Sequence, residues 1–354
     1  MDHRSPQTAT WKPVVVGTGL VALDVVILDN VTSHPLLFAG GTCGNVLAAL
    51  AYMGWDSYPI ARLGNDAAAK CVVDDLEPWG VKLDFVSLSD SGSTPVVVEH
   101  TRQNRDGERA HSFSRKCPAC GGWLPWYKPV KAASVPEICA RLPKADVFYF
   151  DRTSRGAVSL AQNARKNGAL VVFEPSSASD PALLGDALAA SHIVKVASDR
   201  LSGNDALLNA CGPLLLIETL GSEGLRYSLH QVAEPRAWEM LPAFRVAGIR
   251  DAAGAGDWCT AGIISSLGLL GAEKLAKASL EAFQTAMQQG QAMASWACQF
   301  KGARGGMYAG TKQSFDQAVR DILNGETQPA KDPSTLSGRK AAKRVWCNRC
   351  REVL

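Results

Sequence analysis

The residues best suited to chemistry lie between Asp251 and Asp257, where the sequence reads Asp-Ala-Ala-Gly-Ala-Gly-Asp. The small and apolar residues at 258–270 predict a buried helix directly after this segment. A glycine-rich turn that opens a helix leaves backbone N–H groups without partners, and together with the helix dipole these groups bind anions. Asp257 would then lie beside a bound phosphate and could accept the proton of an attacking hydroxyl. Taken alone, the segment is equally typical of a helix N-terminus with an acidic first turn.

A second glycine segment follows a predicted strand near the N-terminus. Gly17, Gly19 and Ala22 fit the dinucleotide-binding pattern G-x-G-x-x-A, which requires a helix to begin at the glycines. The β-branched residues at 21–28 predict an extended strand instead. The sequence therefore disfavours a nicotinamide site and favours a strand whose end presents Asp24 to a pocket.

Two other glycine segments are suited to hold a ligand close to the backbone. Gly40 and Gly41 precede a predicted helix at 45–53, and Asn45 can cap that helix or bind a hydroxyl through its amide. The other segment ends a predicted strand at 214–219, where open α/β sheets bind ligands; it contains Thr219, Gly221 and Gly224. A capped helix and a plain tight turn are the alternative interpretations.

Composition narrows the class of protein. The chain has 354 residues and a formal charge of +3, which gives no indication of a polyanionic partner such as nucleic acid. No apolar run is long enough to span a bilayer, and the first ten residues lack the apolar core of a secretory signal. We therefore expect a cytoplasmic protein without a membrane partner.

Predicted strands alternate with predicted helices along most of the chain. The strands are expected at 14–16, 147–150, 170–173, 192–196 and 214–219. The helices are expected at 45–53, 67–79, 157–167 and 181–190, with a long helical region at 272–300. This alternation predicts an α/β fold in which helices cover both faces of a mostly parallel sheet.

Two stretches depart from the alternation. Residues 95–102 and 108–114 alternate apolar and polar side chains around an Asp-Gly turn, which predicts a hairpin that is either a lid or a surface hairpin without a role. Residues 328–346 are rich in Pro, Ser and Lys and predict a flexible linker.

Taken together, these segments resemble the ribokinase-like, or phosphofructokinase-B type, family of sugar and nucleoside kinases over residues 14–325. The matching positions, in the order in which the family has them, are the strand ending at Asp24, Gly40, Gly41 and Asn45 with Gly54 and Gly64, Thr219 with Gly221 and Gly224, the 251–257 segment, and Gly302 to Gly305. The resemblance implies a three-layer sandwich with a small β lid. It places the kinase domain at 1–327, with lid elements around 20–40 and 94–120.

The resemblance also implies a role for each matching position. Asp257 would be the general base, and the backbone N–H groups of Gly254, Ala255 and Gly256 would form the anion hole. The residues expected to bind the accepting substrate are Asp24, Gly40, Gly41, Asn45 and Asp151. Those expected to bind ATP are Thr219, Gly221, Gly224, Gly302, Ala303 and Gly305. Magnesium would bridge the ATP phosphates, and Asp251 would help to bind a monovalent cation such as potassium.

The sequence departs from the family pattern after the strand that ends near Val196. The family has an Asn-x-x-Glu element there, whereas this chain has Ser198, Asp199 and Arg200, whose side chains could replace it at the phosphates. Glu174 replaces an Asp-Pro-Asn-like sequence and keeps only the charge. The function expected is ATP-dependent phosphorylation of a small-sugar hydroxyl. The alternatives are a nucleoside kinase or a ligand-sensing module with weak transfer, and in the resembled family paired lids commonly make dimers.

Two Cys-x-x-Cys pairs are not part of the family pattern. One pair, Cys117 and Cys120, follows the predicted hairpin, and the other, Cys347 and Cys350, lies in the C-terminal segment 347–354. Each pair can supply two thiolates to one ion, so that together they predict a closed structural zinc site. The alternatives are a redox pair, coincidence, or a zinc ion shared between subunits. The basic residues around the second pair are expected to solvate the tail rather than to bind nucleic acid.

Overall fold

The computed structural model describes residues 11–27, 35–103, 109–177, 180–198, 212–230, 237–326, 339–340 and 346–351. Its strands, in chain order, are β1 (Val14–Thr18), β2 (Ala22–Ile27), β3 (Leu36–Gly40), β4 (Asp56–Gly64), β5 (Val86–Ser89), β6 (Val96–Gln103), β7 (Arg109–Ser114), β8 (Val147–Phe150), β9 (Leu170–Phe173), β10 (Ile193–Ala197), β11 (Leu215–Thr219), β12 (Leu225–Leu229), β13 (Glu239–Leu241) and β14 (Arg339–Lys340). The strands expected from the sequence are confirmed with small shifts at their ends.

The larger sheet has the strand order β13-β12-β11-β10-β9-β8-β1-β4-β5. The strands from β11 through β1 to β5 are parallel, and β12 and β13 add an antiparallel edge. The central strands are continuous runs of buried apolar residues, as expected when helices cover both faces of a parallel sheet. The predicted mostly parallel α/β sheet is therefore confirmed.

The helices are α1 (Thr42–Tyr52), α2 (Ala67–Leu76), α3 (Val135–Arg141), α4 (Arg155–Lys166), α5 (Pro181–Ala190), α6 (Ala255–Leu267), α7 (Gly271–Leu275), α8 (Leu280–Ala297), α9 (Gly305–Ala309), α10 (Lys312–Leu323) and α11 (Asn348–Arg351). Side chains of α1, α6 and α8 form a core with one face of the large sheet, and those of α4 and α5 form a core with the other. These layers make the three-layer sandwich that the resemblance implied. No helix in the described ranges is long and apolar enough to cross a membrane.

The long helical region expected at 272–300 is divided. Helix α7 ends at Leu275, and α8 begins at Leu280 after the N-cap Ser279, whose side chain accepts a hydrogen bond from the Ala282 N–H. A serine side chain that satisfies a free backbone donor favours a new helix start at this point. The composition of the region did not reveal this local signal.

A smaller sheet has the order β14-β3-β2-β6-β7, and we call it the lid sheet. The predicted hairpin is confirmed, because β6 and β7 pair antiparallel; its turn at 104–108 lies outside the described residues. Residues Ala22–Ile27 are a strand, so that no helix begins at Gly19 and the dinucleotide pattern has no structural basis here. Within the segment expected to be a flexible linker, Arg339–Lys340 forms a strand that pairs with β3.

Candidate active site

The carboxyl ends of the parallel strands place several polar side chains at one edge of the large sheet. Asp151 follows β8, Glu174 follows β9, Ser198 follows β10, and Thr219 ends β11. Open α/β sheets bind ligands at this edge. Helix α6 brings Asp257 to the same region, since the charges of Asp151 and Glu174 both act on its carboxyl group.

Asp257 lies in the first turn of α6, which follows the N-cap residue Gly254. Gly254 has a φ of +74°, and a Cβ atom at this position would meet the Ala303 backbone oxygen at 2.5 Å. The turn therefore needs glycine for both its conformation and its close packing. The Trp258 indole N–H donates to the same Ala303 oxygen over 2.9 Å and fixes the start of the helix.

Asn45 and Asp257 join the first turns of α1 and α6, two helices that begin at the site. The Asn45 Nδ2 donates to the Asp257 Oδ2 over 2.7 Å, and Asn45 is 5% exposed. The Asn45 Oδ1 is buried and has no hydrogen-bond partner among the described residues. Because an amide oxygen accepts hydrogen bonds, this atom can accept a hydrogen bond from a hydroxyl group of a bound molecule.

The environment of Asp257 makes its carboxylate a base that titrates near neutrality. Burial is the largest cause that raises its pKa from 3.8 to about 7, and the neighbouring Glu174 adds to the effect. The hydrogen bond from Asn45 and the positive charge of Lys195 lower the pKa in part. A carboxyl group with a pKa of about 7 can both accept a proton and release it at physiological pH.

Glu174 and Lys195 form a buried ion pair beside this turn. The Lys195 Nζ lies 2.8 Å from the Glu174 Oε1, and the side chains are 3% and 8% exposed. The Glu174 Oε2 accepts hydrogen bonds from the Thr260 hydroxyl on α6 at 2.7 Å and from the Tyr149 hydroxyl at 3.2 Å. Glu174 thereby ties β8, β10 and the first turns of α6 together.

Lys195 was not recognised from the sequence, although a signal was present: a lysine interrupts the otherwise apolar strand β10. A Cβ atom built on Gly256 would meet one side-chain atom within 4 Å, the Lys195 Nζ at 3.9 Å. Gly256 is exposed, so that an ammonium group lies close to the surface of this turn. The Ala255 N–H, expected in the anion hole, donates to the Ala252 oxygen over 3.2 Å, a contact that a bound anion would have to replace.

Asp151 is held firmly by its own chain. Its Oδ1 accepts from the Leu20 N–H at 2.9 Å, and its Oδ2 lies 2.6 Å from the Arg152 Nη1. Burial raises its pKa to about 6 despite the neighbouring arginine. A Cβ atom on Gly19 would meet the Asp151 Oδ1 at 1.5 Å, so that this glycine makes room for the carboxylate.

Asp24 lies on the lid sheet beside Arg304 rather than beside Asp257. Burial raises its pKa to about 7, and the Arg304 charge and the Gly41 N–H partly offset this effect. Gly40 leaves room for the carboxylate, because a Cβ atom there would meet the Asp24 Oδ2 at 1.8 Å. The Arg304 guanidinium also forms an ion pair with Asp75 of α2.

The Gly302-to-Gly305 segment was expected to bind ATP. In the structure Gly302, Ala303 and Gly305 line a cavity of about 10 Å³ together with Asp24 and Glu99 of the lid sheet. No hydrogen bond or ion pair among the described residues joins this segment to β11. Its contacts support the 251–257 segment and the start of α6, through the Gly302 N–H and the Ala303 oxygen.

Asp251 organises the start of the 251–257 segment. Its Oδ1 accepts from the Ala253 N–H at 3.0 Å, and its Oδ2 accepts from the Gly302 N–H at 2.8 Å. Glu99 of β6 lies next to it, and burial followed by the Asp251 charge raises the Glu99 pKa to about 9. Glu99 is therefore protonated near neutral pH, and it links the lid sheet to this segment.

The turn after β11 has the shape that the sequence suggested. Gly221 has a φ of +60°, is exposed, and has no heavy atom of the described residues within 4 Å of a built Cβ. Gly224 has a φ of +109°, and its Cβ would meet the Leu241 oxygen at 2.2 Å. Ser198 lies alongside, since its N–H donates to the Thr219 oxygen over 3.1 Å. Arg200 lies outside the described residues.

A separate centre is formed by the two cysteine pairs. The Sγ atoms of Cys117, Cys120, Cys347 and Cys350 all lie within 4.8 Å of one another. Three of the four residues are buried, and Cys120 is exposed. The structure thus brings together, within one chain, the thiols that the sequence suggested as ligands of one ion.

Comparison with known proteins gives a family match over most of the chain. Residues 27–308 match the model of the pfkB family of carbohydrate kinases. A fructokinase of Klebsiella pneumoniae is 28% identical over 264 residues, which are 69% of this chain and 81% of that protein. An ATP-dependent ribose-1-phosphate kinase of Halopiger xanaduensis is 29% identical over 242 residues, 64% of this chain and 72% of that protein.

Solved structures share the fold at lower identity. A fructokinase double mutant of Vibrio cholerae O395, bound to fructose, ADP and a potassium ion, superposes with a TM-score of 0.65. It is 19% identical, and the match covers 87% of this chain and 98% of that one.

Proposed function

The chain belongs to the pfkB family of carbohydrate kinases, and from this premise we propose that it transfers the γ-phosphoryl group of ATP to a hydroxyl of a small sugar. The names of the two curated relatives favour a sugar over a nucleoside, since they denote a fructokinase and a ribose-1-phosphate kinase. The observation that carries the proposal is the pairing of Asp257 with Asn45, close to the Lys195 ammonium group beside Gly256.

Asp257 acts as the general base in this proposal. The acceptor hydroxyl donates to the Asp257 carboxylate, and the free Asn45 Oδ1 accepts from a second hydroxyl of the same molecule. The proton of the attacking hydroxyl passes to Asp257 as its oxygen attacks the γ-phosphorus of ATP, and the bond to the leaving ADP oxygen breaks. Asp24, Asp151 and the backbone of Gly40 and Gly41 complete the acceptor site.

The start of α6 stabilises the transferring group. The N–H groups of Gly254 and Gly256 and the dipole of α6 stabilise the negative charge in this proposal, and the Ala255 N–H joins them when the anion replaces its bond to the Ala252 oxygen. Each such donor contributes on the order of 3 kcal/mol in the transition state. Lys195 adds a positive charge beside Gly256. From the sequence, Ser198, Asp199 and Arg200 were the residues expected to replace the family's Asn-x-x-Glu element at the phosphates. When bound together with ATP, magnesium would supply positive charge that offsets the charge of the phosphates.

The nucleotide lies along the turn after β11 in this proposal. Thr219, Gly221 and Gly224 form its floor, and the exposure of Gly221 supports this placement. The segment from Gly302 to Gly305 contributes by supporting the catalytic turn from behind.

Asp251 orders a site for a potassium ion. The potassium ion of the Vibrio cholerae structure supports this assignment, as does the position of Asp251 at the base of the catalytic segment. We expect turnover to rise when potassium replaces tetramethylammonium as the monovalent cation. Equal rates in the two salts at constant ionic strength would contradict the assignment.

The proposal is tested with a panel of ketohexoses, aldopentoses, pentose phosphates and nucleosides. ADP release and phosphorylated acceptor are measured together, so that transfer is separated from ATP hydrolysis. We expect equal amounts of ADP and phosphorylated sugar, and Asp257→Asn should lower turnover by at least about a hundredfold. Transfer to nucleosides alone would identify a nucleoside kinase. Thermal stabilisation by a sugar without any transfer would identify a ligand-sensing module.

A further inference from the structure

The four cysteines outside the catalytic region are arranged as a metal site. The Cys117 Sγ lies 3.7 Å from the Cys350 Sγ, and the Cys120 Sγ lies 3.6 Å from the Cys347 Sγ. Zinc–thiolate bonds of about 2.3 Å in a tetrahedron place neighbouring sulfurs about 3.8 Å apart. A disulfide needs a sulfur–sulfur distance of about 2.05 Å. The observed distances fit one tetrahedral ion and are too long for two disulfides.

A hydrogen-bonded backbone turn brings the thiols of Cys117 and Cys120 together. The Cys117 N–H donates to the Gly122 oxygen over 2.8 Å, and the Gly121 N–H donates to the Cys117 oxygen over 2.9 Å. Gly121 has a φ of +68°, which allows the tight turn that points both thiols to one side. Arg349 of the tail packs on this turn, since its side chain would lie 3.2 Å from a Cβ atom on Gly122.

The second pair, Cys347 and Cys350, lies in the C-terminal tail, whose described residues are 339–340 and 346–351. This tail contacts the lid sheet at another place as well. Strand β14 of the tail pairs with β3, where Arg339 lies opposite Leu37. Trp346, Cys347 and Cys350 are buried in the apolar cluster that also contains Leu23 and Leu37 of the lid sheet. Among the described residues, the cysteine cluster is therefore a further contact of the tail, made at the loop that follows β7 of the lid sheet.

We propose that Cys117, Cys120, Cys347 and Cys350 bind one Zn²⁺ within the chain, and that this ion fastens the C-terminal tail to the lid sheet. Four protein ligands leave no open position, so that the ion is structural. Each thiol releases its proton to solvent when it binds the ion, and no oxidation or reduction takes place. Metal binding then sets how firmly the lid sheet, which carries Asp24, is held over the acceptor. Only this last consequence rests on the proposed kinase function.

Metal content and thiol reactivity test the site without any measurement of catalysis. We expect one zinc per chain, and these four thiols should resist an aromatic disulfide reagent until a chelator is added. The double variant Cys347→Ser/Cys350→Ser should lose the zinc, whereas the matched control Cys139→Ser on α3 should keep it. A metal-free protein with four reactive thiols would overturn the proposal, and so would two disulfides found by mass spectrometry of the intact chain.

A mixing experiment separates a site within one chain from a site shared between chains. Cys117→Ser/Cys120→Ser and Cys347→Ser/Cys350→Ser are combined, unfolded together and refolded with zinc. We expect neither separate nor mixed protein to regain tight zinc binding. Zinc recovered only in the mixture, together with a dimer in size-exclusion chromatography, would show that the ion is shared between subunits.

The consequence for the lid is measured on Cys347→Ser/Cys350→Ser with the acceptor that the panel identifies. We expect the acceptor KM to rise about fivefold or more, with the KM for ATP unchanged. An acceptor KM equal to that of the parent would refute the effect on the lid while leaving the zinc site intact. Proteolysis supplies a readout that is independent of activity, because loss of the ion should expose the tail to early cleavage.

Discussion

The strength of the hydrogen bond from Asn45 to Asp257 predicts how far the pH dependence of catalysis should shift when the bond is removed. Asn45→Leu removes a charge-assisted bond that favours the ionised carboxylate in a buried site. Such a bond contributes about 1.5–3 kcal/mol. At about 1.4 kcal/mol per pKa unit, its loss should raise the Asp257 pKa by about one to two units above its value of about 7.

The corresponding assay is kcat/KM measured against pH with the acceptor held well below its KM. The parent should lose activity as the pH falls through about 7, because the protonated carboxyl cannot accept a proton. In Asn45→Leu this acid limb should move to higher pH by at least about one unit. At pH 7 the ionised fraction of Asp257 then falls from about one half to about one tenth or less.

Asn45 is also assigned to the acceptor, and the shape of the profile separates the two roles. Loss of a substrate contact lowers the alkaline plateau, whereas loss of the bond to Asp257 moves the acid limb. Asp257→Asn supplies the background, since its residual rate should show no limb near pH 7. An acid limb at the same pH in the parent and in Asn45→Leu would refute the assignment of the base.

Three further predictions concern stability and the catalytic turn. Burial raises the Asp257 pKa from 3.8 to about 7, so that the ionised group costs the folded state about 4 kcal/mol above pH 7 and almost nothing below pH 4. Asp257→Asn should therefore need more urea than the parent to unfold at pH 8 and the same amount near pH 4. An equal gain in stability at both pH values would contradict this. Lys195→Met leaves the Glu174 carboxylate buried without its cation and should cost about 3–5 kcal/mol in urea unfolding. The double variant Lys195→Met/Glu174→Gln should recover most of that loss, and an equally unstable double variant would show that packing rather than charge is at fault. Gly254→Ala forces a residue with a side chain into a left-handed conformation, with its Cβ against the Ala303 oxygen. The variant should lose at least about 1–2 kcal/mol of unfolding free energy and all turnover. Normal turnover would show that the turn can shift without harm.

Much of the fold could be predicted from the sequence because its signals are local. Strands such as Val147–Phe150 are short apolar runs bounded by turn residues, and Asp180 before α5 is a side-chain cap. The division between α7 and α8 was missed because one capping serine within an alanine-rich stretch is a weak signal.

The candidate site could be predicted only in part, because it depends on long-range contacts. The glycine turn before Asp257 is visible in the sequence, but its bond to Asn45 joins residues 212 positions apart. Lys195 was not recognised, since a lysine in an apolar strand gives no indication of the acid that it will meet. The Gly302-to-Gly305 segment was expected to bind ATP from its order in the chain, but that order does not reveal its packing against Gly254 and the lid sheet.

The catalytic turn has a consequence for biosynthesis. The Asp257 carboxylate is held by Asn45, which is translated long before it. The start of α6 is fixed by the Ala303 oxygen, which is translated 45 residues after Trp258. A nascent chain that has not yet emerged from the ribosome beyond Ala303 lacks that last support. Premature termination between Asp257 and Ala303 should therefore yield inert fragments rather than partly active enzyme, even though Asn45 and Asp257 have already been translated.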